Sequence, residues 1–298
     1  MGGFRPNKNL EECTMNNLIL SGFSDEIHPK FDTQLEVASK LGVKAIEIRG
    51  VDGKNISTYT PAEAEAIKAK LDAKGMIVSS IGSPIGKIKI TDDFEPHFEV
   101  YKNVVEICKV LGSKYIRMFS FHVSGEEAPA YEAEVMKRLE KFAEYAAKEN
   151  VVLLHENEKG IYGDIAPRCE KIMKRLYSDN FKAVFDFANF VQVGQDTLEA
   201  YEMMKPYIEY VHIKDALKGS GKVVPAGWGD GNVKAILSML KEKGYKGFLS
   251  LEPHLTNFNG FKDLEANDGE DKAEMEGAVA YHTALNALEA LLWEIDWH

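Results

Sequence analysis

Cysteine is scarce: Cys13, Cys108 and Cys169 are the only three in 298 residues, and no two form a CxxC pair. An odd, scattered set speaks against a disulfide framework or a thiolate zinc site, and it fits a reducing compartment. Long apolar runs are missing too. No stretch reaches the roughly 18–20 residues a spanning helix needs, and the opening MGGFRPNKNLEECTMNN lacks the apolar core of a secretory signal. Positive charge is short: 36 Lys and Arg stand against 47 Asp and Glu, for a net charge of −11. That balance disfavours nucleic acid, whose phosphates call for a Lys/Arg excess. The expectation is a cytoplasmic protein with neither a membrane nor a nucleic-acid partner.

The hydrophobic fraction of 45% and charged fraction of 28% are ordinary for a globular protein, and the pattern within them is alternation. Short runs rich in Val, Ile and Phe fall near 18–23, 43–49, 76–81, 114–119, 151–156, 181–186, 207–212 and 247–252. Helical spacing fills the intervals near 31–41, 61–74, 96–111, 128–148, 164–176, 196–204 and 232–243, and again near 273–293. Thr60-Pro61 is a helix start, with a capping hydroxyl before a proline whose missing N–H costs nothing there. Gly42, Gly75, Gly112 and Gly244 follow helical runs, where positive φ closes a helix. Strands alternating with helices pair in parallel, because each crossover helix returns the chain. Eight such repeats without a linker predict an α/β fold, a single-domain (β/α)₈ TIM barrel over residues 17–298, with residues 1–16 as an N-terminal extension. The polar segment 254–272 reads as a long loop after the eighth strand.

In such barrels the reacting groups stand at the C-terminal ends of the strands. Here the fifth strand ends in His155-Glu156-Asn157, the sixth in Asp186, the seventh in His212 followed by Lys214 and Asp215, and the eighth in Glu252 followed by Pro253 and His254. Any one of these acids alone is more often a salt-bridge or capping residue. Four consecutive strands delivering such groups at one height is another matter. Three converging carboxylates repel, and a divalent cation cancels the repulsion. Glu156, Asp186, His212 and Glu252 thus form an O₃N set for one divalent ion. Mn²⁺ or Mg²⁺ suits it best, with Zn²⁺ or Co²⁺ as competitors.

The segments LLHENEKGIYGD, VFDFANF, YVHIKDA and FLSLEPH resemble the sugar phosphate isomerase/epimerase group of the xylose isomerase-like barrels, which includes ketose 3-epimerases, inosose isomerases and dehydratases, and hydroxypyruvate isomerases. The resemblance implies a metal-dependent sugar or polyol isomerase or epimerase, or a related dehydratase. It gives Glu156 and Glu252 a double role, as metal ligands and as the acid/base pair that moves a proton next to a carbonyl. Two positions depart from the epimerase pattern. Asn189 stands where those epimerases carry histidine, and Lys218 where they carry arginine, which sets the chain apart from a simple ketose 3-epimerase.

Further candidates for substrate contact are Glu47, with Arg49, after the second strand; Lys87 in the Gly-rich loop 82–87; His122 after the fourth; Lys214 and His254; and Trp228 in Gly227-Trp228-Gly229-Asp230-Gly231, read as a lid. Each has a structural alternative: a salt bridge at the barrel mouth for Glu47, a loop glycine pattern around Lys87, a packing tryptophan at Trp228. His155 should point away from the site by the two-residue period of a strand. Three other functions compete. One is the metal-bearing catalytic subunit of an enzyme that cleaves C-glycosides through 3-keto glycosides, which requires a partner subunit. The others are a non-catalytic sugar-binding protein and an apurinic endonuclease-like nuclease. The partner expected first is a small carbohydrate or polyol substrate; a homo-oligomer is compatible with the sequence.

Overall fold

The computed structural model describes residues 18–256 and 271–297. Eight parallel strands line a nearly closed barrel: β1 (Ile19–Gly22), β2 (Ala45–Ile48), β3 (Ile77–Ile81), β4 (Tyr115–Met118), β5 (Val152–Glu156), β6 (Phe181–Asp186), β7 (Ile208–Ile213) and β8 (Phe248–Leu251). Hydrogen bonding runs β1-β8-β7-β6-β5-β4-β3-β2. The seam between β1 and β2 is drawn together by a single parallel bridge from Phe23 to Glu47. The helices are α1 (Phe31–Lys40), α2 (Pro61–Ala73), α3 (Phe94–Leu111), α4 (Ala128–Glu149), α5 (Ala166–Leu176), α6 (Phe187–Gln192), α7 (Thr197–Met204), α8 (Val233–Glu242) and α9 (Asp271–Glu294). Every strand and helix expected from the sequence is found. The short α6 was not expected, nor were two small hairpins, Gly50–Val51 with Lys54–Asn55 and Asp215–Ala216 with Val223–Val224. The N-terminal extension and most of the loop after β8 lie outside the described residues.

Local chemistry explains the element ends. At α2 the Thr60 hydroxyl accepts from Glu63 N at 3.2 Å, and the Glu63 carboxylate accepts from Thr60 N at 2.7 Å, with Pro61 at the first helical position. This reciprocal box satisfies two donors that the helix start leaves open. At the other end of a helix, Gly112 closes α3 with φ of +71°, a left-handed conformation that a side chain would resist.

Along each strand, alternate side chains take opposite roles. Outward residues such as Ile46, Ile48, Val78, Ile116, Met118, Leu153, Phe185, Val211 and Leu249 join the helices in one large core. Inward residues fill the barrel. Its lower layers are Ala45, Ile77, Tyr115, Val152, Leu154, Val184, Tyr210 and Phe248. Two residues further along several of the same strands, the inward side chains turn polar.

The candidate metal centre

Those inward positions carry the chemistry. Glu156 follows Leu154 by two residues, Asp186 follows Val184, His212 follows Tyr210, and Glu252 follows Ser250. The period of two therefore points all four into the barrel mouth. Each offers one ligand atom, and these atoms lie within 4.8 Å of one another. All four residues are buried, with relative exposures of 0–4%. The sequence-predicted ligand set is thus brought to one point.

The imidazole shows how the set is oriented. His212 Nδ1 faces the carboxylates, 2.9 Å from Glu156 Oε1, 3.8 Å from Asp186 Oδ2 and 3.9 Å from Glu252 Oε2. Its Nε2 lies 3.0 Å from Glu47 Oε2. Phe23 and Tyr210 hold the ring edge-on, with centroids 5.3 and 5.7 Å away. Asp186 divides its two oxygens. Oδ1 caps α6 by accepting from Asn189 N at 2.8 Å, while Oδ2 is buried and makes no hydrogen bond. A buried carboxylate oxygen without a hydrogen bond, with the Lys214 ammonium 3.2 Å away and an imidazole nitrogen and two further carboxylates around it, is what a divalent cation satisfies, and hard oxygen donors with one imidazole suit such an ion. The residues present fit a metal ion.

Cations of the chain surround this cluster. Arg117 on β4 reaches Glu156 Oε2 at 3.2 Å, and Asn189 Nδ2 donates to Glu156 Oε1 at 3.2 Å. Lys214 Nζ lies 2.7 Å from Glu252 Oε2 and 3.2 Å from Asp186 Oδ2. Arg49 bridges Asp25, Glu26 and Glu252. Electrostatics follow from these distances. Burial pushes Glu156 upward, but His212 and Arg117 outweigh it and hold its carboxyl down at about 2. Burial also raises Glu252, and Lys214 and His254 more than reverse that, leaving it well below the carboxylate range. Asp186 is raised to about 7 by burial, which the pull of Lys214 does not overcome against Glu156 and Glu252. Burial lowers His212, yet Glu156 and Glu47 carry it well above its ordinary value. Without an ion, then, a proton on His212 bridges groups that would otherwise face each other with lone pairs.

The remaining candidates are placed as follows. Lys214 is in the cluster. His254 sits at its rim, with Nε2 3.3 Å from Glu252 Oε1 and 3.1 Å from Glu26 Oε1, and these carboxylates raise it to about 9 against the effect of burial. Asn189 is buried on Glu156 and donates to Asn157 O at 2.9 Å. Glu47 lies behind His212, fully buried, instead of at the mouth. Lys87 is paired with Glu158 at 3.1 Å and stacked over Phe119. His122 is exposed and sits 3.3 Å from Gly160 O. Trp228 is 62% exposed. Lys218 stands away from the cluster, because the chain turns into the small hairpin after Asp215. There Lys218 lines an outer cleft with Asp230 and Asn232. His155 points outward, as its position in β5 requires. Burial lowers it to about 4. Sequence reasoning missed Arg117 and Asn157. The Asn157 amide donates to Asp186 O and accepts from Asp186 N, both at 3.0 Å, and so locks the ends of β5 and β6 together.

A family model described as a xylose isomerase-like TIM barrel matches residues 35–277. The chain belongs to this family. Among curated relatives, it is 21% identical over 186 residues to the 3-dehydroshikimate dehydratase of Bacillus anthracis, a match spanning 62% of this chain and 66% of that enzyme. It is 19% identical over 240 residues to an inosose dehydratase of Clostridium perfringens, covering 70% and 80% of the two chains. Among solved structures, the IOLI protein with a bound zinc atom aligns with a TM-score of 0.72 at 18% identity, over 93% of this barrel and 99% of its own chain. The 3-keto-D-glucoside 4-epimerase YcjR of E. coli aligns with a TM-score of 0.66 at 16% identity, over 92% and 99%. At these identities the structural neighbours establish the fold. Among the described residues no helix is long and apolar enough to cross a membrane.

Proposed function

We propose that this protein is a divalent-metal-dependent enzyme that removes a proton from the carbon next to the carbonyl of a small polyhydroxy ketone. The observation that carries this reading is the convergence of Glu156, Asp186, His212 and Glu252 at the barrel mouth, with ligand atoms within 4.8 Å of one another. An ion held there, Mn²⁺ or Mg²⁺ by donor hardness with Zn²⁺ as competitor, supplies Lewis acidity to the carbonyl oxygen.

The chain supplies the rest. Glu156 and Glu252 stand on β5 and at the end of β8, on either side of the β6–β7 pair, so their carboxylates approach the same space from two directions. Both are held ionised, as a base must be. Glu252 adjoins His254, whose side chain is 43% exposed, so it has the shorter route for exchanging its proton with solvent. Lys214 lies two residues beyond His212 on the same face and is within reach of a substrate oxygen.

Charge favours a neutral substrate. Asp25, Glu26, Glu47, Glu156, Asp186 and Glu252 face Arg49, Arg117, Lys214 and His254. A divalent ion beside a neutral His212 balances that set, and Lys87 in the Gly-rich loop is already paired with Glu158. A keto-polyol such as an inosose fits better than a sugar phosphate or acid.

Two outcomes share the first step. Dehydration breaks the C–H bond beside the carbonyl and the C–O bond of the next carbon, forms the C=C bond and releases water. Epimerisation returns the proton on the other face. Asn189 in place of the histidine of the epimerases, together with the two dehydratase relatives, supports dehydration. The test offers inosose, 3-dehydroshikimate, ketohexoses and 3-keto glycosides labelled with deuterium beside the carbonyl. We expect metal-dependent release of the label to water, fastest for the neutral inosose and lost in Glu156→Gln. Turnover with the label retained in product overturns the reading. Activity on 3-keto glycosides that requires an added subunit would favour the C-glycoside-cleaving alternative.

A further inference from the structure

Glu47 is a carboxylate inside the barrel that, among the described residues, pairs with no Lys or Arg. Its relative exposure is 0%. Its one ion-pair partner among the described residues is His212, at 3.0 Å from Nε2. The same oxygen, Oε2, accepts from Ser250 Oγ at 2.7 Å, and Oε1 has no hydrogen-bond partner. Burying a carboxylate this way costs several kcal/mol unless specific partners offset it, so its position calls for a physical reason.

The fold delivers it deliberately. β2 pairs Ile46 with Val78 but Glu47 with Ser80, so Ser79 is an extra residue in β3 and the ladder shifts at Glu47. Such bulges bend a strand and re-aim its side chains. Beside it, the interior is made of small or hydroxylic groups. Ser21 Oγ meets Ser79 Oγ at 2.6 Å, and Ser79 Oγ meets Tyr210 OH at 2.9 Å. Ser250 is the register partner of His212 on the neighbouring strand. The result is a polar shelf below the ligand cluster, where an ordinary barrel packs Val, Ile and Leu. On the opposite edge of the same imidazole, Nδ1 faces Glu156, Asp186 and Glu252.

We propose that Glu47 is a positioning residue for the metal centre. Its carboxylate accepts the Nε2–H of His212, fixes that tautomer, and so turns the Nδ1 lone pair toward the three carboxylates. A neutral imidazole can carry its proton on either nitrogen, and only one tautomer presents a lone pair at Nδ1. A carboxylate on the far nitrogen settles the choice and raises the basicity of the ligating one. Phe23 and Tyr210 restrict the ring from its sides, and Glu47 sets which edge carries hydrogen. The inference rests on reading the cluster as a metal centre.

The test measures ion affinity by chelator competition with Mn²⁺ and Zn²⁺ for the full chain, Glu47→Ala and Glu47→Gln, after thermal melts confirm that each folds. Ring ¹⁵N spectra of the metal-free proteins, recorded at a pH where the ring is neutral, report the His212 tautomer. We expect Glu47→Ala to weaken binding about 10–100-fold and to lose the single Nε2–H signature. Glu47→Gln should keep the tautomer, because its amide oxygen still accepts, and weaken binding less, because the charge is gone. Should Glu47→Ala not fold, the nearly isosteric Glu47→Gln carries the test alone. Wild-type affinity in the folded variants overturns this proposal and leaves the metal reading intact. A wild-type chain that takes up neither ion overturns both.

Discussion

The lower and upper layers of the barrel interior are built on the same strands and do opposite things. Leu154, Val184, Tyr210 and Phe248 pack against each other below; Glu156, Asp186, His212 and Glu252 meet above. The two sets are both buried, and for three of the strands they are separated by two residues. Below, removing water from apolar surface stabilises the fold at about 25 cal/mol per Å². Above, removing water from charge opposes folding, and the chain offsets it with Arg117, Lys214, Arg49 and the Asn189 amide. One strand thus places a reactive group rigidly because its preceding inward residue is locked in the core. Precision at the mouth is inherited from packing one layer down.

The sharpest way to test this division is to change each layer separately. Glu156→Gln keeps the shape of the upper layer but removes the carboxylate proposed to carry the proton. We expect a rate loss of roughly 10²–10⁴-fold, and a lower melting temperature for the metal-free protein because Arg117 loses its buried carboxylate partner, measured by steady-state kinetics and thermal melts. Lys214→Met asks what the resident cation does. It leaves Asp186 and Glu252 buried without their ammonium, so the metal-free protein should lose about 3–5 kcal/mol, and the stabilisation conferred by added Mn²⁺ should grow in parallel. Equal loss with and without ion would break the claim that charge balance governs this layer. Leu154→Ala addresses the other side. Leu154 is fully buried, so denaturant unfolding should show a loss of about 2–5 kcal/mol. Ion affinity per folded molecule should hold unless the cavity lets Glu156 drift, and the size of any change measures how far packing sets the site.

A separate handle on the upper layer is pH. Asp186, raised to about 7 mainly by burial, and His212, raised well above its usual value by Glu156 and Glu47 despite burial, both carry protons in acid that a bound ion must displace. Ion affinity should therefore climb as pH rises from 5 to 7, by about one decade per pH unit for each displaced proton. Titrations of Mn²⁺ binding at several pH values check this. A flat profile would mean that those protons are absent.

Much of this was legible in the sequence, and the layers explain which parts. Strand and helix positions followed from the alternation of short apolar runs with helical spacing, and the four candidate ligand positions from the rule that barrel strands end at the reactive face. Arg117 was not legible. In Tyr115–Met118 both faces are buried, so polarity does not reveal which side faces inward, and an arginine in a strand reads as solvent-exposed. Glu47 was legible as a strand-end acid, but its role depends on a register shift with β3 and on Ser250, more than two hundred residues away. Lys218 was named from the epimerase pattern; the chain after Asp215 folds into a hairpin between Asp215–Ala216 and Val223–Val224, and that hairpin is what positions Lys218. Asp186 was legible as a candidate ligand or a helix cap; its Oδ1 caps α6 and its Oδ2 faces His212 Nδ1.

Asp215 accepts from the backbone N–H groups of Ala216, Gly227, Gly229 and Gly231 at 2.8–3.1 Å. A Cβ on Gly229 or Gly231 would come within 2.5 and 2.7 Å of its carboxylate oxygen. The loop's course is thereby written in main chain and glycine, while the intervening Trp228 and Asp230 take no part in that clasp through their own N–H groups. For evolution or for an engineer, this separates frame from face. Exchanges at 229 or 231 must redraw the loop, because a side chain there meets the Asp215 carboxylate, whereas position 228 already carries a side chain. A single carboxylate thereby governs the path of a whole loop.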